Sequence, residues 1–450
     1  MRSQPETELG LSSPISGWGR YPSLPGKVCF DEDLIRITAR AVLSRGLGRS
    51  YGDAALPASP SDCLAGTTLA DRILAFDEKT GRIRTEAGCP LWRINALFLP
   101  RGWFPPVTPG TKYVTVGGMV AADVHGKMHH VEGTFGRHVH RVLLRVADGS
   151  CVWCSPTEHA DLFYATLGGM GLTGHILEVE FQLKPVPSPW IAEEVEVHTE
   201  LRALLHALRR AGRDWPFTVA WADLLNDPPL FGRGAVMKGR WAYPHECPPF
   251  PPEFGQPVTV PDVFPDWFLH PWMVRWFNRL YFWRASRAAG CRIVHPDIFF
   301  YPLDALQNWN RVYGKRGFTQ YQCVLPVDDG FEKHLDFVQR LRQLNAPVFL
   351  AVIKDCGEEG KGLLSFPRPG ISYALDLPVG PDTQTIVDRL NDFVVAAGGR
   401  IYLAKDAFTR KEHFEQMEPR LREFLAVRHR WDPHRRFRSA LSVRLFGDSP

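Results

Sequence analysis

GGMVAADVHGKMHH, residues 117–130, is the stretch on which the fold turns. It sets three histidines and a lysine behind a pair of glycines. These histidines could hold a metal, serve a catalytic centre, or be turn and core residues that happen to cluster. His125 and His129 have i,i+4 spacing, but Gly126 weakens a helix there and no HExxH glutamate accompanies them, so no metal is expected. A glycine pair lets main chain press against another group, which would bring His125 and Lys127 up to a bound ligand.

The neighbouring blocks point the same way. RGLGRSYGD, residues 45–53, offers successive glycines whose N–H groups can approach an anion, with Arg49 and Ser50 as further donors, as a pyrophosphate requires. It is not a Walker loop, because no GKS or GKT follows. Nor is it a dinucleotide GxGxxG, because the spacing fails and no helix is expected after it. PGT at 109–111 leads into the opening peptide, and LGGMGLTG follows at 167–174.

Composition sets the limits. The 450 residues correspond to about three domain-sized units, or two if one is large. Hydrophobic content of 44% and charged content of 23% fit a globular chain with a sizeable core. A net charge of +4 gives no reason to expect nucleic acid. Cys151 and Cys154 form a CxxC, but in a strand their side chains face opposite ways, which suits neither zinc nor a redox pair. The first residues lack an apolar core segment and no apolar run is long enough to span a membrane, so a cytoplasmic location is expected.

Hydrophobic periodicity predicts strands at 73–76, 142–146 and 175–183, and a helix at 91–98. PVPSP at 185–189 reads as a linker. Beyond it, a helix at 199–211 and strands at 217–221 and 321–325 suggest an antiparallel sheet. Residues 400–406, RIYLAKD, read as a buried strand followed by a basic helix. Lys405 in that apolar run, and Lys354 in FLAVIK, would be costly to bury without a partner. Residues 264–283 hold Trp267, Phe268, Trp272, Trp276, Phe277, Tyr281, Phe282 and Trp283 among arginines. Such a segment can lie in a membrane interface, line a lipid pocket, or pack on its own domain.

Taken in order, GLGRSYGD, PGTKYVTVGGMVAADVHGKMHH, LGGMGLTG and YLAKD resemble the vanillyl-alcohol-oxidase type of FAD flavoprotein. Within it the likeness is to the branch of decaprenylphosphoryl-ribose 2-oxidases, which serve arabinan and cell-wall precursor synthesis. It continues in VAWAD at 219–223, PDVFP at 261–265, WNRVYG at 309–314, QYQ at 320–322 and LSFP at 364–367. The resemblance implies an α+β fold: a two-part FAD-binding domain, residues 1–186 and 400–450, with an antiparallel-sheet substrate domain at 187–399. It implies flavin contacts from Gly46, Gly48, Arg49, Ser50 and Tyr51, then Thr111, Val114, Gly117, Gly118, Ala121, Ala122 and His125. Gly171, Ile176, Tyr402, Ala404 and Lys405 complete that set. Many relatives tether FAD through a histidine in the first loop; Arg49 holds that place here, so dissociable FAD is expected.

The implied activity is oxidation of the C2 hydroxyl of a polyprenyl-phosphoryl-β-D-ribose to the 2-keto sugar, with Lys405, His125, Tyr51 and Lys354 as the catalytic group. Lys127, Trp221, Phe300, Gln320, Gln322, Lys354, Ser372 and Ala374 would meet the substrate. Quinone or oxygen would take the electrons, and a separate short-chain reductase would finish the epimerisation. Residues 264–283 would make a peripheral membrane contact. In two places the chain departs from the relatives. Ala374 stands where they carry a pocket cysteine, so thiol-directed inhibitors should fail. Phe300, beside Tyr301, stands where they carry a pocket tyrosine. The rival readings are a flavin oxidase of soluble alditols or sugar lactones, and a flavin-free glycan- or lipid-binding protein.

Overall fold

Alternating and continuous apolar runs build three main sheets in this computed structural model, which describes residues 10–12, 14–250, 257–261 and 269–450. The first sheet has four strands in the order Gly10–Ser12, Lys27–Phe30, Cys63–Gly66, Leu43–Arg45, and the last three run parallel. The second has five antiparallel strands: Cys151–Cys154, Val139–Arg145, His175–Gln182, Arg82–Glu86 and Ile73–Asp77. The helix Leu91–Phe98 forms over the residues its periodicity marks and buries Leu91, Ile94 and Phe98. Cys154 is buried and Cys151 exposed, as opposite faces of a strand require.

The third sheet is antiparallel throughout, with strand order Gly290–Val294, Ile191–His198, Gly234–Trp241, Phe217–Ala222, Leu350–Cys356, Gly370–Pro378, Phe318–Leu325, Arg400–Ile401. The amphipathic helix Leu201–Asp214 covers it with Leu201, Leu204, Leu205 and Leu208. Each leucine so buried contributes about 1.5–3 kcal/mol. The PVPSP stretch is not wholly a connection, because Lys184–Pro185 pairs with Trp103–Phe104.

One expectation needs correcting. Residues 400–406 are not a strand along their length; only Arg400–Ile401 pairs, with Val324 and Cys323. The chain then turns, with Lys405 N–H donating to the Tyr402 carbonyl and Asp406 N–H to that of Leu403. Its apolar character reflects burial under a neighbouring loop, not pairing in a sheet.

Residues after 430 return to the first sheets. Arg438 pairs with Asp62 at 2.7 Å, and Arg436 donates to the carbonyls of Ala39 and Ala147. The helix Pro271–Arg287 lies against strands Ile191–His198 and Gly234–Trp241. Trp267 and Phe268 lie outside the described residues. Among the described residues, no helix is long and apolar enough to cross a membrane.

Candidate active site

Strand register assembles one wall of the site. Side chains two residues apart share a face of a strand, and paired residues share it across strands. Gln320 pairs with Asp376 and Gln322 with Ala374; Ser372 pairs with Lys354, Ala374 with Val352, and Val352 with Trp221. Trp221, Lys354, Ser372, Ala374, Asp376, Gln320 and Gln322 therefore line one face of four neighbouring strands. Of these, Asp376 was missed from sequence, although the i,i+2 spacing of Ser372, Ala374 and Asp376 could have found it.

The opposite wall comes from the glycine-rich peptides. Thr115 caps the helix Val116–Ala121, its hydroxyl accepting from Gly118 N–H at 3.2 Å. The chain then reverses at Asp123, whose φ of 39° is in the left-handed region that aspartate tolerates. The Asp123 carboxylate accepts from Gly136 N–H at 2.8 Å and from the Ser365 hydroxyl. This turn delivers His125 into the interior, against Phe366 and Tyr402. The Gln322 amide donates to His125 Nε2 at 3.0 Å, so Nδ1 carries the proton, and that atom is buried without a partner. Burial, then Lys354, holds the imidazole far below its ordinary pKa and neutral. The other two histidines serve the main chain: His129 Nδ1 accepts from Gly357 N–H, and His130 Nε2 donates to the Trp215 carbonyl.

Lys405 sits where the two walls meet. Its ammonium lies 3.4 Å from the centre of the Tyr51 ring. Burial, then Lys354, lowers its pKa to about 7, with Asp376 opposing. Asp376 is fully buried and accepts from Gln320 Nε2 at 2.6 Å and from the Tyr313 hydroxyl at 3.1 Å. Burial raises it to about 6 against those bonds and against Lys405. Lys354 has no hydrogen-bond or ion-pair partner among the described residues, and burial lowers its pKa. Lys127, also lowered to about 7 by burial, donates to the Phe299 carbonyl. The result is a half-buried group of three lysines, faced by the buried carboxylate of Asp376 at Lys405 and by that of Glu193 at Lys127.

The first loop is held by main chain and by one distant arginine. Tyr51 N–H donates to the Ala404 carbonyl at 2.8 Å. Gly52 is required by close approach, because a Cβ there would lie 1.7 Å from the Asp406 carbonyl oxygen. Arg444, from the helix Ala440–Phe446, forks onto Asp53 at 2.8 Å and reaches Asp406 at 2.9 Å. It clamps the Tyr51 loop to the Lys405 turn, and sequence reading missed it. Arg49 stacks on Trp18 at 3.9 Å, and near Tyr113.

The remaining expected contacts fall into two groups. Thr111 faces Asp304, and Tyr402 donates through its hydroxyl to the Ala122 carbonyl. Val114 accepts from Leu91 N–H, and Gly171 takes a φ of 80°. The Phe300 ring sits in an aromatic cluster, and it is its neighbour Phe299 that meets Lys127. The ring contacts of Phe300 are Phe104, Phe217, Trp241, Phe299 and Tyr301, while the Tyr301 hydroxyl is taken by Asn95 and Thr108.

These residues fit a flavin dinucleotide. Among the described residues, the main-chain N–H groups of 47–50 donate to no protein acceptor, and Arg49 Nε is buried without a partner, as a diphosphate cradle needs. Half-buried lysines, of which Lys354 lacks a protein partner among the described residues, suit a ring and a substrate that carry negative charge.

Comparison with known proteins agrees. Residues 33–155 match the FAD binding domain family. The chain is 33% identical to decaprenylphosphoryl-β-D-ribose oxidase of Mycolicibacterium smegmatis, over 96% of this chain and 97% of that one. An uncharacterised Streptomyces coelicolor protein is 34% identical over 79% of this chain and 99% of its own. L-gulonolactone oxidase of Bos taurus is 23% identical over 86% and 88%.

Proposed function

The chain belongs to the family of FAD-dependent oxidoreductases that includes decaprenylphosphoryl-β-D-ribose oxidase, and on that premise we propose that it oxidises the C2 hydroxyl of a polyprenyl-phosphoryl-β-D-ribose to the 2-keto sugar. The observation that carries this reading is the half-buried lysine group of Lys405, Lys354 and Lys127 against a wall of amide and hydroxyl side chains. Amides and hydroxyls suit a sugar, and cations suit its phosphate.

Bound FAD supplies the acceptor for the hydride leaving C2. Lys405, as a neutral amine, takes the hydroxyl proton, and Tyr51 beneath it and Asp376 beside it hold it in place. Gln320, Gln322 and His125 orient the sugar hydroxyls. Lys354 and Lys127 oppose the phosphate charge. Residues 1–186 and 400–450 together form the FAD-binding unit, a division supported by the Arg438–Asp62 and Arg444–Asp53 pairs, and 187–399 form the substrate unit. FAD is held without a covalent tether, Arg49 occupying the loop position of the tethering histidine. The prenyl chain places the reaction at a membrane surface. Quinone or oxygen accepts the electrons, and a separate short-chain reductase completes epimerisation.

The test is an anaerobic titration of the yellow protein. A prenyl-phosphoryl ribose bleaches the bound flavin, while free alditols and aldonolactones leave it coloured. Bleaching by those soluble sugars alone would replace this reading with that of a soluble-sugar oxidase, which the likeness to L-gulonolactone oxidase favours. The Ala374 position gives a second expectation. After treatment with a thiol-directed active-site inhibitor, peptide mapping finds no adduct on residues 371–376. In Ala374→Cys the strand becomes labelled, because position 374 lies on the same face as Lys354 and Gln322.

A further inference from the structure

The helix Pro271–Arg287 is built inside out. Soluble helices bury an apolar stripe and expose polar residues. This one buries Asn278 with Val274, and leaves Trp272, Trp276, Phe277 and Trp283 each more than half exposed, with Leu280 partly so. Trp272, Trp276 and Trp283 stand at i, i+4 and i+11, a spacing that aligns them along one outward line at 3.6 residues per turn.

A buried polar node fixes this orientation. Asp223, fully buried, accepts from Asn278 Nδ2 at 2.9 Å, from Asn226 Nδ2 at 2.7 Å and from Arg233 at 3.2 Å. Asn226 also donates to the Arg275 carbonyl. Rolling the helix to bury its tryptophans would leave this carboxylate and these amides unpaired, at about 1–3 kcal/mol for each group. The outward aromatic line is therefore held in place by the node beneath it.

Charge identifies what covers the line. The helix carries Arg275, Arg279, Arg284 and Arg287 and no acidic residue. Arg275 pairs with Asp227, whereas Arg279, Arg284 and Arg287 are exposed beside the tryptophans. Tryptophan and arginine together on one face match the headgroup boundary of an anionic bilayer, where the ring is half in hydrocarbon and the guanidinium meets phosphate. We propose that Pro271–Arg287 docks this protein onto anionic lipid, with Trp272, Trp276 and Trp283 inserted and Arg279, Arg284 and Arg287 on the headgroups.

The same helix borders the site on the same face of the sheet. Its Tyr281 ring packs on Trp221 with centroids 4.7 Å apart, and Trp221 is on the site wall. One side of the helix thus touches the substrate wall while its other side carries the outward aromatic line. The proposal rests on a lipid-linked substrate for its purpose, but not for its test.

That test is co-sedimentation of the FAD-loaded protein with vesicles of phosphatidylcholine alone or mixed with phosphatidylglycerol. The protein pellets with the mixed vesicles and is released by added salt. A triple change of Trp272, Trp276 and Trp283 to Ser abolishes pelleting. Changing Arg279, Arg284 and Arg287 to Gln weakens it on the order of 100-fold. Both variants keep their flavin and oxidise a short-chain, soluble substrate like the unaltered protein. Equal pelleting of all three proteins, or none by the unaltered one, overturns the proposal. So does a dimer that the tryptophan changes dissolve, which would make the face a contact between copies. If the protein oxidises a prenyl-phosphoryl ribose but ignores vesicles, docking alone is wrong. If it pellets but leaves that substrate untouched, the substrate reading alone is wrong.

Discussion

Lys405→Met slows substrate-driven bleaching of the flavin by about 10²–10⁴-fold while the protein stays yellow. The loss is in proton removal, because Lys405 is the half-buried amine poised over Tyr51 with a pKa of about 7. The pH dependence follows from the same group. A lysine accepts a proton only when neutral, and its neutral fraction grows as pH rises through about 7. The single-turnover rate should therefore climb across that interval and level off above it. Asp376 raises the proton affinity of Lys405, so Asp376→Asn moves the rise to lower pH. The other titratable groups facing Lys405, namely the Lys354 amine and the neutral side chains of Tyr51 and His125, are unchanged in that variant. A rate profile that keeps its midpoint in Asp376→Asn removes the proposed role of Asp376, and a Lys405→Met protein that bleaches normally removes Lys405 as the base.

Arg444→Met destabilises the folded protein by about 3–5 kcal/mol, the cost of leaving buried carboxylates without their cation. Asp53 and Asp406 are both buried or nearly so, and the two together hold Arg444 above its ordinary pKa against the cost of burial. Its removal frees the Tyr51 loop from the Lys405 turn, so the purified variant also carries less FAD. Urea denaturation measures the first effect, and the ratio of flavin to protein absorbance measures the second. Arg444→Lys recovers only part of either, because a single ammonium cannot reproduce the forked contact to Asp53 together with the reach to Asp406. An unaltered urea midpoint in Arg444→Met would show that the clamp is ornamental.

Local patterns were legible and distant ones were not. The helix Leu91–Phe98 and the strand His175–Gln182 follow from periodicity, because their burial is set by their own residues. The clustering of Gln320, Gln322, Ser372 and Lys354 was legible only through resemblance, since strand register is not written in any one segment. RIYLAKD misled because an apolar run beneath a loop looks the same as one inside a sheet. Asp376 was not legible as a site residue because the face it shares with Gln320 is set by the register between two strands. The inverted helix Pro271–Arg287 gave the composition of an interface in sequence, but which side faced out depended on Asp223, 55 residues from Asn278.

The Arg444–Asp53 contact joins residues 391 apart in the chain. During synthesis the glycine-rich loop leaves the ribosome long before the helix that fastens it. Nascent chains should therefore be colourless for most of their elongation and capture the pigment late, with their three sheets already made. Shortage of the vitamin from which FAD is built would then leave chains in which Arg444 has fastened a glycine-rich loop that holds no pigment.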